Sequence, residues 1–145
     1  RLKRHPLARA IRADKLCLAA LSATLDHYRK GEAAQQIPIW QMIARPLDDV
    51  RRAAADWAAQ LGGQVMDGES AVGGGSLPGA TLPTALLALD VPHPNEFLAR
   101  LRAADPPVIA RISGGRVLFD PRTVLPGQAQ SLLRIAGALM QSSAV

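Results

Sequence analysis

Apolar residues recur along this chain with two different periods, and the change between them divides it. Leu18, Leu21, Leu25 and Tyr28 fall at i, i+3, i+7 and i+10, one face of a helix. Residues 4–30 read as helical in pattern. Pro6 suits a first helical turn, and Asp14 is placed to cap a second helix beginning at Lys15. Gly31 supplies a stop. The apolar run 37–44 predicts one or two further turns. Pro46 then opens the clearest helix, with Leu47, Val50, Ala54, Trp57, Ala58 and Leu61 at helical spacing. Asp48 and Asp49 occupy its first turn, where the macrodipole favours anions, and Gly62-Gly63 ends it.

From residue 64 the period falls to two. Gln64–Ser70 and the Leu/Ala run Thr84–Asp90 predict strands. Pro94–Ala104 predicts a helix with Phe97, Leu98 and Leu101 inward. Val108–Ile112 and Arg116–Asp120 flank Gly114-Gly115, a tight-hairpin signal. Gln128–Gln141 closes the pattern as a helix with Leu132, Ile135, Ala136 and Leu139 on one face. The predicted fold class is α+β: a long N-terminal helix followed by a small αββαββα domain, with an antiparallel or mixed sheet and helices packed on it. The joint is expected near residues 31–46, giving a linking helical segment 1–45 and a domain 46–145.

Composition narrows the function. The chain has 145 residues, 48% of them hydrophobic and 20% charged, which is globular rather than disordered. Its 26 alanines predict a core of small groups and close helix contacts. The aromatics are five, Tyr28, Trp40, Trp57, Phe97 and Phe119, too few for a base-stacking surface. No apolar run approaches the ~18 residues of a membrane span. Cys17 is alone, which excludes a disulfide framework and a Cys-rich metal site. Cys17 reads as a small core residue inside an Ala/Leu helix. The chain opens Arg-Leu-Lys-Arg without Met or a secretory signal. It is therefore expected to be a piece of a longer, cytoplasmic protein.

The net charge of +5 is local. Residues 1–15 hold Arg1, Lys3, Arg4, Arg9, Arg12 and Lys15 against Asp14, a balance of 6 − 1 = +5, and the remainder is neutral. If residues 5–15 are helical, His5, Arg9, Arg12 and Lys15 share one face. Two guanidiniums at i, i+3 suit a phosphoryl oxyanion, because Arg stays charged and offers a planar fork of donors. The alternative is a solvated basic face. The loop Gly73-Gly74-Gly75-Ser76-Leu77-Pro78-Gly79 matches neither phosphate-loop pattern, lacking the Lys of one and the third Gly of the other. Arg111, Arg116 and Arg122 lie on or after the predicted hairpin. His27 and His93 have no partners at metal-ligand spacing, and no complete active site is visible.

Three motifs carry a family likeness: Arg4-His5-Pro6-Leu7-Ala8-Arg9-Ala10-Ile11-Arg12-Ala13-Asp14-Lys15-Leu16, the Gly73–Gly79 loop, and Asp105-Pro106-Pro107-Val108-Ile109-Ala110-Arg111-Ile112. In their order and spacing the chain resembles the C-terminal third of the bacterial L-seryl-tRNA(Sec) selenium transferases. The resemblance implies a pyridoxal 5′-phosphate enzyme of the type I, aminotransferase-like fold, with a linking helix and a small C-terminal domain. It implies conversion of seryl-tRNA(Sec) to selenocysteinyl-tRNA(Sec) with selenophosphate, in a cytoplasmic homo-oligomer without membrane attachment. Arg9 and Arg12 match the Arg-x-x-Arg positions that bind the phosphate-bearing donor. Arg122, by its place before the last helix, matches a substrate-side arginine that binds carboxylate in many type I enzymes. The cofactor lysine and the tRNA-binding region are expected upstream of Arg1, so the fragment alone is expected to be inactive. Lys15 also follows an Asp, but Leu16-Cys17-Leu18 after it are helix interior rather than the Gly-rich sequence of the cofactor lysine. Two other readings share these features: the small domain of another type I enzyme, and a stand-alone basic module that binds RNA backbone.

Overall fold

Four strands in a single antiparallel sheet, order β1-β2-β4-β3, organise the larger part of the molecule in a computed structural model. The structure describes residue 5 and residues 7–73 and 79–142, and of Arg9 and Ala10 the backbone alone. The chain divides into two compact units, residues 1–41 and 42–145.

In the first unit, α1 (Leu7–Ala10) and α2 (Lys15–Arg29) are separate helices. Asp14 separates them. It sits at φ −72, ψ 168, an extended conformation that no helix contains, and its carboxylate accepts the Cys17 amide at 2.9 Å. That bond satisfies one of the orphan donors at a helix start. A continuous helix over residues 5–15 is thereby corrected. Arg12 lies between the helices and Lys15 begins the second, so the four basic groups do not share one helical face. The apolar spacing of α2 is as predicted, but no residue of this helix is buried within the described chain. Cys17 is exposed, with its thiol donating to Asp14 at 3.2 Å, and is not a core residue. α3 (Ala33–Gln36), a turn the apolar pattern does not announce, follows. The Trp40 indole donates to the Tyr28 hydroxyl at 2.5 Å. α4 (Pro38–Ala44) ends the segment.

The second unit follows the predicted order: α5 (Leu47–Leu61), β1 (Gln64–Ala71), β2 (Thr81–Leu89), α6 (Pro94–Ala103), β3 (Arg111–Ser113), β4 (Arg116–Phe119) and α7 (Ala129–Ser142). The hairpin is shorter than its apolar run, because only Arg111–Ser113 pair with β4. Ser113 faces Arg116 across Gly114 (φ 57) and Gly115 (φ 77), the two left-handed residues a tight two-residue turn requires. The larger core cluster lies on one side of the sheet, and a smaller one of Leu86, Ala88 and Leu118, with Met66, on the other. In the larger, Leu87, Leu89, Val117 and Phe119 meet Trp57 of α5, Phe97, Leu98 and Leu101 of α6, and Leu132, Ile135 and Ala136 of α7. Val50 and Ala54 of α5 close on Ala85, where a small side chain lets the helix approach the strand. Among the described residues no helix is long and apolar enough to cross a membrane.

Candidate functional site

Two places concentrate the sequence-predicted chemistry, and they differ in character. At the N-terminal segment the His5 Nδ1 accepts the Leu7 amide at 3.2 Å. Arg12 is exposed and forms no ion pair among the described residues. The Arg9 side chain lies outside the described residues, as does most of the Gly73–Gly79 loop. Asp14, the acid nearest in sequence, is held by the α2 N-terminus rather than by an arginine. The Cys17 amide bond, then the Cys17 thiol, hold its carboxyl below the usual carboxylate range. A depressed folded value means that the cap stabilises α2 above the ordinary Asp range and is lost as pH falls through the folded value. Acidification through the folded value, or Asp14→Ala at neutral pH, should lower the protection of the Cys17 and Leu18 amides relative to their intrinsic exchange rates. Equal exchange with and without the carboxylate would remove the cap from the account.

The second place is the end of the sheet beyond β4. Here Asp120 accepts from the Ser70 hydroxyl, from the Thr84 hydroxyl at 2.8 Å and from the Arg122 amide at 3.0 Å. Those bonds join β1, β2 and the 3-10 turn Pro121–Thr123. The turn places Arg122 inward, 5% exposed. Its guanidinium donates to the carbonyls of Arg45 (2.7 Å), Pro83 (2.7 Å) and Met42 (3.1 Å). Arg45 reciprocates, its guanidinium reaching the Pro121 carbonyl at 2.6 Å. The Arg122 Nε has no acceptor among the described residues. Arg122 thus stands where its terminal nitrogens are engaged by main chain, not at an open surface where a carboxylate would meet it. The single signal in sequence was Asp-Pro-Arg itself: an Asp side chain commonly caps a turn through the amide two residues on. Ser70, Thr84 and Arg45 carry no such signal, since their partners are 36 to 76 residues distant.

Beside this network a cavity of about 280 Å³ is lined by Ser70, Ala71, Ile109, Ala110, Arg111, Leu118, Asp120 and Thr123. Arg111 reaches across to the Glu69 carbonyl at 3.3 Å. Among the described residues no three His, Cys, Asp or Glu side chains group as a metal site. Lys15 and Lys30 are both exposed helix-end residues. No step through pyridoxal phosphate is assigned to them.

Comparison with known proteins decides the family. The family described as "SelA: L-seryl-tRNA selenium transferase" matches residues 1–125. This chain belongs to the L-seryl-tRNA selenium transferase family. Among curated relatives, the L-seryl-tRNA(Sec) selenium transferase of Geobacter sulfurreducens is 42% identical over 143 residues, 91% of this chain and 31% of that protein. Those of Hyphomonas neptunium and Desulfovibrio desulfuricans are 40% and 41% identical, over 91% and 92% of this chain and 30% and 31% of theirs. The chain spans about a third of the length of the selenium transferases it matches. The family match includes Arg9, Arg12, the sheet, and the Asp120–Arg122 network, and stops short of α7.

Proposed function

We propose that this chain is part of an enzyme that converts the seryl group of seryl-tRNA(Sec) to selenocysteinyl, with selenophosphate as selenium donor. The observation that carries this is an identity near 40% over nine-tenths of the chain to proteins so named. In this reading residues 46–145 serve as the small domain of a type I pyridoxal-phosphate enzyme, supported by their αββαββα order. Residues 1–45 link it to the cofactor domain. Arg9 and Arg12 hold the phosphoryl group of the donor. The exposure of Arg12, which forms no ion pair among the described residues, supports this, and Arg12 lies outside either helix. The cofactor, when bound on the portion of the enzyme that this chain lacks, supplies the electron sink for exchange at the seryl β-carbon. Arg122 serves as an internal strut rather than a carboxylate ligand. That fits a substrate whose carboxyl is esterified to tRNA. The enzyme works as a cytoplasmic homo-oligomer.

The test is selenium transfer by the full-length protein, loaded with pyridoxal phosphate and given seryl-tRNA(Sec) and labelled selenophosphate. Labelled selenocysteine should be recovered from the tRNA. An enzyme that shows bound-cofactor absorbance yet leaves the seryl group unchanged would refute the reading.

A further inference from the structure

Residues 1–41 form a compact unit, yet none of its described residues is buried. Its longest helix, α2, carries Leu18, Leu21, Leu25 and Tyr28 on one stripe, and each of the three leucines is 55% exposed. The spacing is three, four, three, the seam a helix presents to a packed neighbour. Ile39 and Trp40 of α4 are exposed as well. The Trp40 indole reaches the Tyr28 hydroxyl, so α4 extends the apolar surface at the Tyr28 end.

The polar groups beside the stripe make small demands on water. By helical position Cys17 and Thr24 border it on one side, Ser22 and Arg29 on the other. The Cys17 thiol donates to the Asp14 carboxylate at 3.2 Å, and the Thr24 hydroxyl donates to the Ala20 carbonyl at 2.9 Å. Arg29 pairs with Asp26 at 3.2 Å. Three of these four side chains therefore keep partners within the helix or its cap when the face leaves water.

A stripe of this kind is buried against another element in a stable fold. A 15-residue helix with no buried residue has little else to hold it. Residues 42–145 offer no matching surface. Their core is filled by their own side chains, and their exposed large hydrophobics among the described residues are Val65, Ile109 and Ile112. Val65 and Ile112 lie on β1 and β3, the opposite edges of the sheet. Scattered apolar side chains of that sort are ordinary surface. A second copy of α2 offers a stripe, but 15 residues hold only about two heptads, short of the three to four that sustain a coiled coil. What is left is large. The chain covers 31% of the Geobacter sulfurreducens relative, so about two thirds of such a polypeptide lies outside it.

We propose that the Leu18, Leu21, Leu25 and Tyr28 stripe docks into an apolar groove on the part of the same polypeptide that lies outside residues 1–145. A covalently joined domain meets the helix at an effective concentration on the order of millimolar, without a second molecule. The inference rests on the reading of this chain as part of a longer selenium transferase, and it names the helix face that joins the part to the whole. Seating α2 also fixes the turn just before it, which carries Arg12.

The experiment places a photo-activatable phenylalanine analogue at Leu21 of the full-length protein. A control carries it at Leu16, which helical spacing puts on the opposite side of α2 and which is 83% exposed. On a denaturing gel a cross-link within one polypeptide keeps the single-chain mass, and one between copies doubles it. Peptide mapping then names the partner residues. The probe at 21 should join residues outside 1–145 at single-chain mass, with a yield several-fold above that at 16. Cross-links into residues 42–145, cross-links of doubled mass, or equal yields at the two positions overturn the proposal. Because a bulky probe can unseat the helix, hydroxyl-radical footprinting of the unsubstituted protein runs beside it. Leu18, Leu21 and Leu25 should be oxidised several-fold more slowly than Leu16, and equal rates overturn the proposal too. Neither readout uses selenium transfer. A wild type that leaves the seryl group unchanged therefore fails the proposed function and leaves the cross-link map intact.

Discussion

Arg9→Ala and Arg12→Ala, each in the full-length enzyme, are expected to lower kcat/KM for selenophosphate by roughly 5–150-fold, with tRNA affinity unchanged. The range is that of losing one or two charge-assisted hydrogen bonds to an anion, about 1–3 kcal/mol. A guanidinium that grips the donor equally before and during transfer raises KM alone. One that follows charge onto the departing phosphoryl lowers kcat as well. Arg12→Lys separates fork geometry from charge: a compact ammonium keeps attraction but loses bidentate donation, so it should fall between wild type and Ala. Because Arg12 sits between α1 and α2 and not on a helix, its position depends on the chain turning at Asp14. Asp14→Ala should therefore weaken donor use mildly, through placement. Wild-type donor kinetics in both Ala variants would remove these residues from the donor site.

The break at Asp14 shows how the sequence was both legible and misread. A helix cap at residue 14 and a helical face spanning residues 5–15 cannot coexist, since the cap residue must leave helical geometry. Both were readable from the same residues, and the local hydrogen bond to Cys17 won. Local signals served well elsewhere. Pro46, Gly62-Gly63 and Gly114-Gly115 mark element ends within a residue or two of where they fall. Leu87, Phe97, Leu101 and Ile135 are buried as their periodicity requires. What stayed hidden is non-local. Nothing in the spacing says that α5, α6 and α7 pack on the same side of the sheet. Cys17 and the leucines of α2 failed for another reason: helical spacing names a face but not what covers it, and in the described chain nothing does.

Arg122 is where the fold itself is most exposed to a single change. Arg122→Ala should destabilise residues 42–145 by about 3–5 kcal/mol, lowering Tm by about 10–20 °C. The carbonyls of Met42, Arg45 and Pro83 would each lose their donor at once, in a place water reaches poorly. A buried acceptor left unmade costs about 1–3 kcal/mol, and partial rehydration of the three keeps the total below their sum. Arg122→Lys cannot restore it, because one ammonium on a flexible stem does not span carbonyls approached from different directions. Removing Asp120 instead should cost less. Its loss frees two hydroxyls and one amide but leaves the guanidinium seated. A substrate-side Arg122 predicts the opposite pattern: a stable Ala variant with impaired turnover. Thermal melts of the full-length protein, read beside activity at a temperature where all variants stay folded, separate the two. The strut requires that Tm fall steeply in Arg122→Ala and Arg122→Lys alike, and that activity of the still-folded fraction remain near wild type.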